Sequence, residues 1–243
     1  MCSCAAVNAP GFAFERLANR FPPQVFMFSV LISDFVSPIY TGSMEQSDER
    51  ALWNQKFRSG SHAAIEPDPF LVSAYGDYVE PLIGTGRGCR ALDLAGGTGR
   101  HALFLAAQGW QVTLLDVSEV GLQRAYKEAV QRGVSIELRN EAAADANLGR
   151  GEFDLILVFF FLERELFPAI REALKPGGLL IYKTYTREHP RLSGGRGPQH
   201  PMHLLERNEL LRAFNSLEIL FDRETVVDKG VAELVARCPT SAK

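Results

Sequence analysis

The stretch Ala91-Leu92-Asp93-Leu94-Ala95-Gly96-Gly97-Thr98-Gly99-Arg100-His101-Ala102 constrains this chain more than any other. It reads as a buried strand that turns through glycines straight into a helix. Glycines accept backbone angles that other residues avoid, and they let a ligand approach the main chain with no Cβ in the way. The unbonded amides at the start of the next helix then point at that ligand. Such a strand, turn and helix form nucleotide-binding geometry.

The glycines alone leave the nucleotide open. Gly97-x-Gly99-x-x-Ala102 fits the dinucleotide fingerprint, and Asp116 follows at about the 20-residue offset of a ribose-binding acid. Asp93 tilts the choice. A carboxylate beside the turn repels a pyrophosphate at close range and attracts the ammonium and sulfonium of S-adenosylmethionine. An NAD-dependent oxidoreductase and a non-catalytic cofactor-binding module are the competing readings.

The 243 residues suit one domain, or one domain with an appendage. A hydrophobic fraction of 46% and a charged fraction of 23% supply a sizeable core. The net charge of -3 argues against a general nucleic-acid or anionic-membrane binder. Four cysteines, Cys2, Cys4, Cys89 and Cys238, include no C-x-x-C pair, which points to a reducing, cytoplasmic setting. The apolar run from Val25 to Val36 is interrupted by Asp34 and is too short to span a bilayer. No small-x-small cleavage pattern closes it, so it does not read as a signal peptide.

Residues 1–43 lack a clear period and look like an extension, disordered or preceding a true start at Met44; residues 44–243 read as the folded domain. An amphipathic helix is expected over Phe70 to Leu82, from apolar positions three and four apart. Strands are expected at Cys89 to Leu94, Val112 to Asp116, Ser135 to Arg139, Phe153 to Phe161 and Leu179 to Thr184. Helices are expected at Thr98 to Gln108, Ser118 to Arg132 and Glu165 to Leu174, with Ser118 as an N-cap and Gly133 as a stop. A long loop, Glu188 to Met202, precedes a helix at Glu206 to Phe214 and an antiparallel edge, Leu217 to Arg223 with Val231 to Arg237. The alternation predicts a doubly wound α/β fold: a mostly parallel seven-stranded sheet with helices on both faces.

The chain resembles the class I S-adenosylmethionine-dependent methyltransferases, and within them the small enzymes similar to tellurite-resistance methyltransferases. The resemblance rests on Asp93 to Arg100, on Asp116-Val117-Ser118, on Phe153-Asp154 and on Leu174-Lys175-Pro176-Gly177-Gly178. It implies that Asp93 and the backbone of Ala95, Gly97 and Gly99 hold the methionine portion of the cofactor, that Asp116 accepts the ribose hydroxyls and that Val117 packs on the adenine. Where the family commonly shows an acid for the adenine amino group, this chain has Ala142; the neighbouring Glu141 is the substitute candidate. Arg164 matches an arginine the family often carries, holding either an anionic substrate or the fold.

Strict alternation puts Phe159 and Phe161 on one sheet face and Phe160 on the other, with Phe159 a candidate wall of the transfer pocket. The loop after the fifth strand carries Arg187, His189, Arg191, Arg196, His200 and His203. In this fold it overhangs the site mouth, so Arg196 and His203 join Arg164 as candidate substrate contacts. His200 and His203 do not make a metal site, because no cysteine or acid completes one. Trp53 and Phe57, four apart on an expected helix, either fold over the sulfonium or dock that helix. His101 reads as a structural or exposed histidine. No catalytic base stands out, which fits a thiol, selenol or oxyanion acceptor. The expectation is a small-molecule methyltransferase, monomeric or homodimeric, without nucleic-acid, membrane or metal partners.

Overall fold

In the computed structural model residues 46–60 and 64–240 are described. The expected extension, residues 1–43, lies outside them. Seven strands form one sheet in the order β3-β2-β1-β4-β5-β7-β6. They are β1 (Arg90–Leu94), β2 (Gln111–Asp116), β3 (Glu137–Asn140), β4 (Phe153–Phe159), β5 (Leu174–Tyr185), β6 (Glu218–Val226) and β7 (Gly230–Arg237). β1 to β5 pair in parallel, and β7 runs antiparallel to both β5 and β6. The order reverses at β1, which lies between β2 and β4. In open α/β sheets the crevice at such a switch point, beyond the strands' carboxyl ends, is where ligands bind.

The parity of the strands decides which side chains meet there. Ala91, Val112, Leu114, Leu155, Leu157, Leu179 and Ile181 share one core layer with Phe159, while Leu92, Leu94, Ile156, Val158, Leu180 and Tyr182 form the opposite one. Successive side chains alternate across a strand. Asp93, Asp116, Phe159 and Lys183 therefore belong by register to the first face, the face that also packs α4 (Arg100–Ala107).

An N-terminal helix, α1 (Gln46–Arg58), precedes α2 (Pro69–Ala74). Asp68 caps α2 by accepting from the Phe70 amide at 2.9 Å. The helix expected over Phe70 to Leu82 continues through a π-helical turn (Tyr75–Val79) into α3 (Glu80–Leu82). α5 (Glu119–Arg132) starts where the Ser118 hydroxyl accepts from the Gly121 amide at 3.1 Å, and it ends at Gly133 in the left-handed region.

Three expectations need correction. The strand read as Phe153 to Phe161 ends at Phe159, because Phe160 takes φ +57°. Alternation fails there, so Phe159 and Phe160 pack with one core layer and Phe161 with the other. The strand expected from Leu179 begins at Leu174, and Lys175 to Gly178 form a wide irregularity inside β5, between Leu174 opposite Phe153 and Leu179 opposite Leu155. Cys238 closes it, its carbonyl accepting from Gly177 and its amide donating to Gly178. The segment read as a long loop contains α7 (His189–Leu192) and a 3-10 turn (Pro201–His203), and the helix after it is shorter than expected, α8 (Glu209–Ala213). The remaining helix, α6 (Phe167–Ala173), follows a 3-10 turn at Arg164–Leu166.

Candidate active site

Gly99, the N-cap of α4, has no side chain to satisfy the helix's first amides. Asp93 does so from β1: its Oδ2 accepts from the Ala102 amide at 3.1 Å. Gly96 is required by the same arrangement, since a Cβ there would sit 2.4 Å from Asp93 Oδ2. The other oxygen, Asp93 Oδ1, is buried without a hydrogen-bond partner among the described residues. Burial pushes this carboxyl up to about 7, helped by the nearby Asp116 and opposed by the Ala102 hydrogen bond and Arg100.

Asp116 ends β2 and tightens the turn. Its Oδ2 accepts from Gly97 N and its Oδ1 from Ser118 N, each at 2.8 Å. Burial raises its pKa to about 6 against the pull of those two amides. A carboxylate has about four lone-pair sites, so two remain for hydroxyl donors. Two residues other than glycine hold positive φ at this end of the sheet, Ala95 (55°) after β1 and Phe160 (57°) after β4. Such strain persists only where the surroundings impose it, and it clusters at functional sites.

The other expected residues are spread around this turn. Val117 is buried next to Asp116. Glu141, after β3, accepts from Arg139 Nε at 2.6 Å. Phe159 is buried with its ring 4.2 Å from that of His101. Arg164 pairs with both oxygens of Glu209, at 2.6 and 3.0 Å, and donates to the carbonyls of Met202 and Leu204. Arg196 and His203 are exposed, and the Arg196 carbonyl is held by His189 Nε2 at 2.9 Å.

Two residues that the sequence did not single out for the site belong to it. Asn54 on α1 reaches the β2–α5 corner, where its Oδ1 accepts from Ser118 Oγ and Val120 N. Lys183 on β5, half-buried, lies between Asp68 (2.8 Å) and Glu233 (3.1 Å), with its ammonium 5.7 Å from the Phe160 ring centre. No spacing rule links these partners, which are 115 and 50 residues apart in sequence. Of the two aromatic residues on α1, Phe57 lies against the turn: a Cβ on Gly97 would fall 2.9 Å from its ring. Among the described residues, no cluster of His, Cys, Asp and Glu could hold a metal ion.

Residues 91–178 match the model of a family described as a methyltransferase domain. An uncharacterised protein from Mycobacterium tuberculosis is 30% identical over 119 residues, 49% of this chain and 43% of its own length. A ubiquinone biosynthesis O-methyltransferase from Shewanella halifaxensis is 30% identical over 117 residues, 46% of this chain and 50% of its own. The chain thus spans about half the length of the curated relatives it matches. The crystal structure of TehB from Haemophilus influenzae superposes with a TM-score of 0.59 at 18% identity, covering 76% of this chain and 67% of that one. The [4+2]-cyclase SpnF superposes with a TM-score of 0.64 at 19% identity, covering 83% and 98%. At these identities the solved structures establish a shared fold.

Proposed function

We propose that this chain, whose residues 91–178 match the methyltransferase-domain family and whose fold is that of S-adenosylmethionine-dependent methyltransferases, transfers a methyl group from that cofactor to a small-molecule nucleophile. The observation that carries the reading is Asp93. It is a fully buried carboxylate with one oxygen unpartnered, one short turn from positive-φ Ala95 and Gly97. A buried anion with one oxygen left bare is costly, and a cationic ligand beside it relieves that cost. A pyrophosphate would add charge of the wrong sign next to both Asp93 and Asp116.

When bound, the cofactor supplies an electrophilic methyl on a sulfonium, which leaves as a neutral thioether. Asp93, with the backbone of Ala95, Gly97 and Gly99, binds the methionine portion. Asp116 uses its remaining lone pairs for the ribose hydroxyls, and Val117 flanks the base. Glu141 can turn its second oxygen to the adenine amino group while the first stays on Arg139. Phe159 walls the transfer pocket, and Arg196 and His203 stand at its mouth for the acceptor. Arg164 is assigned to anchoring the segment around Met202 to Leu204. The protein's main task is to align the nucleophile with the methyl and exclude water.

The acceptor is a small molecule, a thiol, selenol or oxyanion being the working set. The setting is cytoplasmic, in keeping with free thiols at Cys89 and Cys238 and with the lack of any membrane-length apolar helix among the described residues. The working state is a monomer or homodimer without nucleic acid. Calorimetry with S-adenosylmethionine, S-adenosylhomocysteine and NAD tests the reading. Binding of the first two and not of NAD is expected; NAD binding alone would overturn it.

A further inference from the structure

Among the described residues, two buried polar atoms at the site have no hydrogen-bond partner, Asp93 Oδ1 and His101 Nε2. Their residues are 0% and 3% exposed. Leaving such a group unsatisfied costs about 1–3 kcal/mol, so a pair of them in one place points to a missing ligand. They are close together: His101 Nδ1 lies 4.0 Å from Asp93 Oδ1. The imidazole also meets Phe159, ring centres 4.2 Å apart. His101 thus bridges the carboxylate assigned to the cofactor and the aromatic wall assigned to the acceptor.

We propose, resting on the methyl-transfer reading above, that Asp93 and His101 form a base dyad in which His101 Nε2 takes the acceptor's proton, which narrows the working set to acceptors that arrive protonated, a thiol or the hydroxyl form of an oxyanion. The O–H or S–H bond breaks to Nε2 as the oxygen or sulfur forms its bond to the methyl carbon. The carbon–sulfonium bond breaks with its electron pair going to sulfur. The imidazolium left behind is held by Asp93 through Nδ1–H and returns its proton to solvent. Asp93 Oδ2 is already fixed by Ala102 N, which leaves Oδ1 for this contact. The 4.0 Å gap has to close by about 1 Å, a tightening usual when a site fills.

The surrounding charges make the dyad dependent on the cofactor. Besides Asp93 from β1, the groups facing His101 are Arg100 on its own helix, Asp68 at the head of α2 and Lys183 from β5. Burial, with Arg100 and Lys183, holds the imidazole neutral, down to about 3. Burial also favours the protonated form of Asp93. A bound cation ionises Asp93, and the ionised carboxylate then favours a proton on Nδ1 and a free lone pair on Nε2. The base is armed only while the methyl donor is present.

The full chain labelled with 15N-histidine tests this by NMR, since its five histidines are few enough to resolve. His101 is assigned from His101→Gln or, where that variant does not fold, from its contact with Phe159. The probe is sinefungin, a non-transferring amine analogue of the cofactor. On binding, His101 should carry its proton on Nδ1, with its pKa raised by at least one unit. Sinefungin binding that leaves His101 unchanged, or protonated on Nε2, overturns the dyad and leaves the methyl-transfer reading intact. Failure of sinefungin and S-adenosylmethionine alike to bind overturns that reading, and the dyad with it. With radiolabelled cofactor, benzenethiol and phenol serve as protonated probes and iodide as an acceptor without a proton. Labelling of a protonated probe at saturating cofactor, cut about 100-fold in His101→Gln, supports the proposal; equal labelling by the variant overturns it. Labelling of iodide alone, or of no probe, overturns the acceptor class.

Discussion

The side-chain oxygen of Asn54 accepts a hydrogen bond of 2.6 Å from Ser118 Oγ, the same hydroxyl that caps α5 by accepting from Gly121 N. One buried amide thereby fastens α1 to the corner that presents Asp116. Asn54→Ala leaves the cap but frees the helix. It should cost about 1–3 kcal/mol, raise hydrogen exchange across α1 and weaken cofactor binding. Unchanged exchange in α1 would remove Asn54 from the account.

The glycines of the turn separate by what surrounds them. Gly96→Ala drives a Cβ into Asp93 Oδ2 and Leu114, and Gly97→Ala adds left-handed strain to a clash with Phe57. Both should lose cofactor binding as well as stability. Gly88→Ala, at φ +78° in open space, should show a stability loss without a binding loss. Gly76→Ala, in open space within the helical stretch after α2, should gain about 0.4–1 kcal/mol. Melting curves and calorimetry on the four variants check the order.

Raised carboxyl pKa values give the free protein a pH dependence of definite sign. Asp93 and Asp116 bind protons more tightly when folded, to about 7 and about 6, than an unfolded aspartate does. Their contribution to stability is therefore present in acid and lost as pH rises from about 4 to about 7. A cation prefers the ionised forms, so S-adenosylmethionine binding near pH 6 should release protons and weaken as pH falls. Calorimetry in buffers of different ionisation heat measures the release; proton uptake would contradict the assignment.

Asp93→Asn keeps the shape and removes the charge. Above pH 7 the free variant should melt a few degrees higher than the parent, because a buried anion has gone, yet bind S-adenosylmethionine at least tenfold more weakly. Equal affinity would leave the carboxylate without its proposed role.

Arg164→Ala should destabilise by about 1–3 kcal/mol and expose the segment around Met202 to proteolysis. Glu209→Gln should do part of the same, and the two should couple in a double-mutant cycle. A substrate role would instead show as lost turnover with unchanged stability.

The fold was legible wherever chemistry is local. The strand and glycine turn around Asp93, the Ser118 cap, the Gly133 stop and the alternation of strands with helices depend on residues a few positions apart. Phe160 shows where that reasoning ends. Period two assumes a continuous strand, and the chain leaves the strand two residues earlier than expected, with a positive φ at Phe160 that no local pattern announces. Arg164 shows the same limit for the site: its partner Glu209 lies 45 residues away, a separation no local pattern spans.

By itself, the sequence determined that a carboxylate precedes a glycine turn between a strand and a helix in a doubly wound sheet, because backbone freedom and residue spacing are properties of the chain. Only the tertiary structure decided which oxygen of Asp93 is spent on α4 and which is left bare. It also brought His101 beside that oxygen and laid α1 against the turn. Those outcomes depend on contacts across the sheet and between helices, where burial selects which polar groups find partners and which do not.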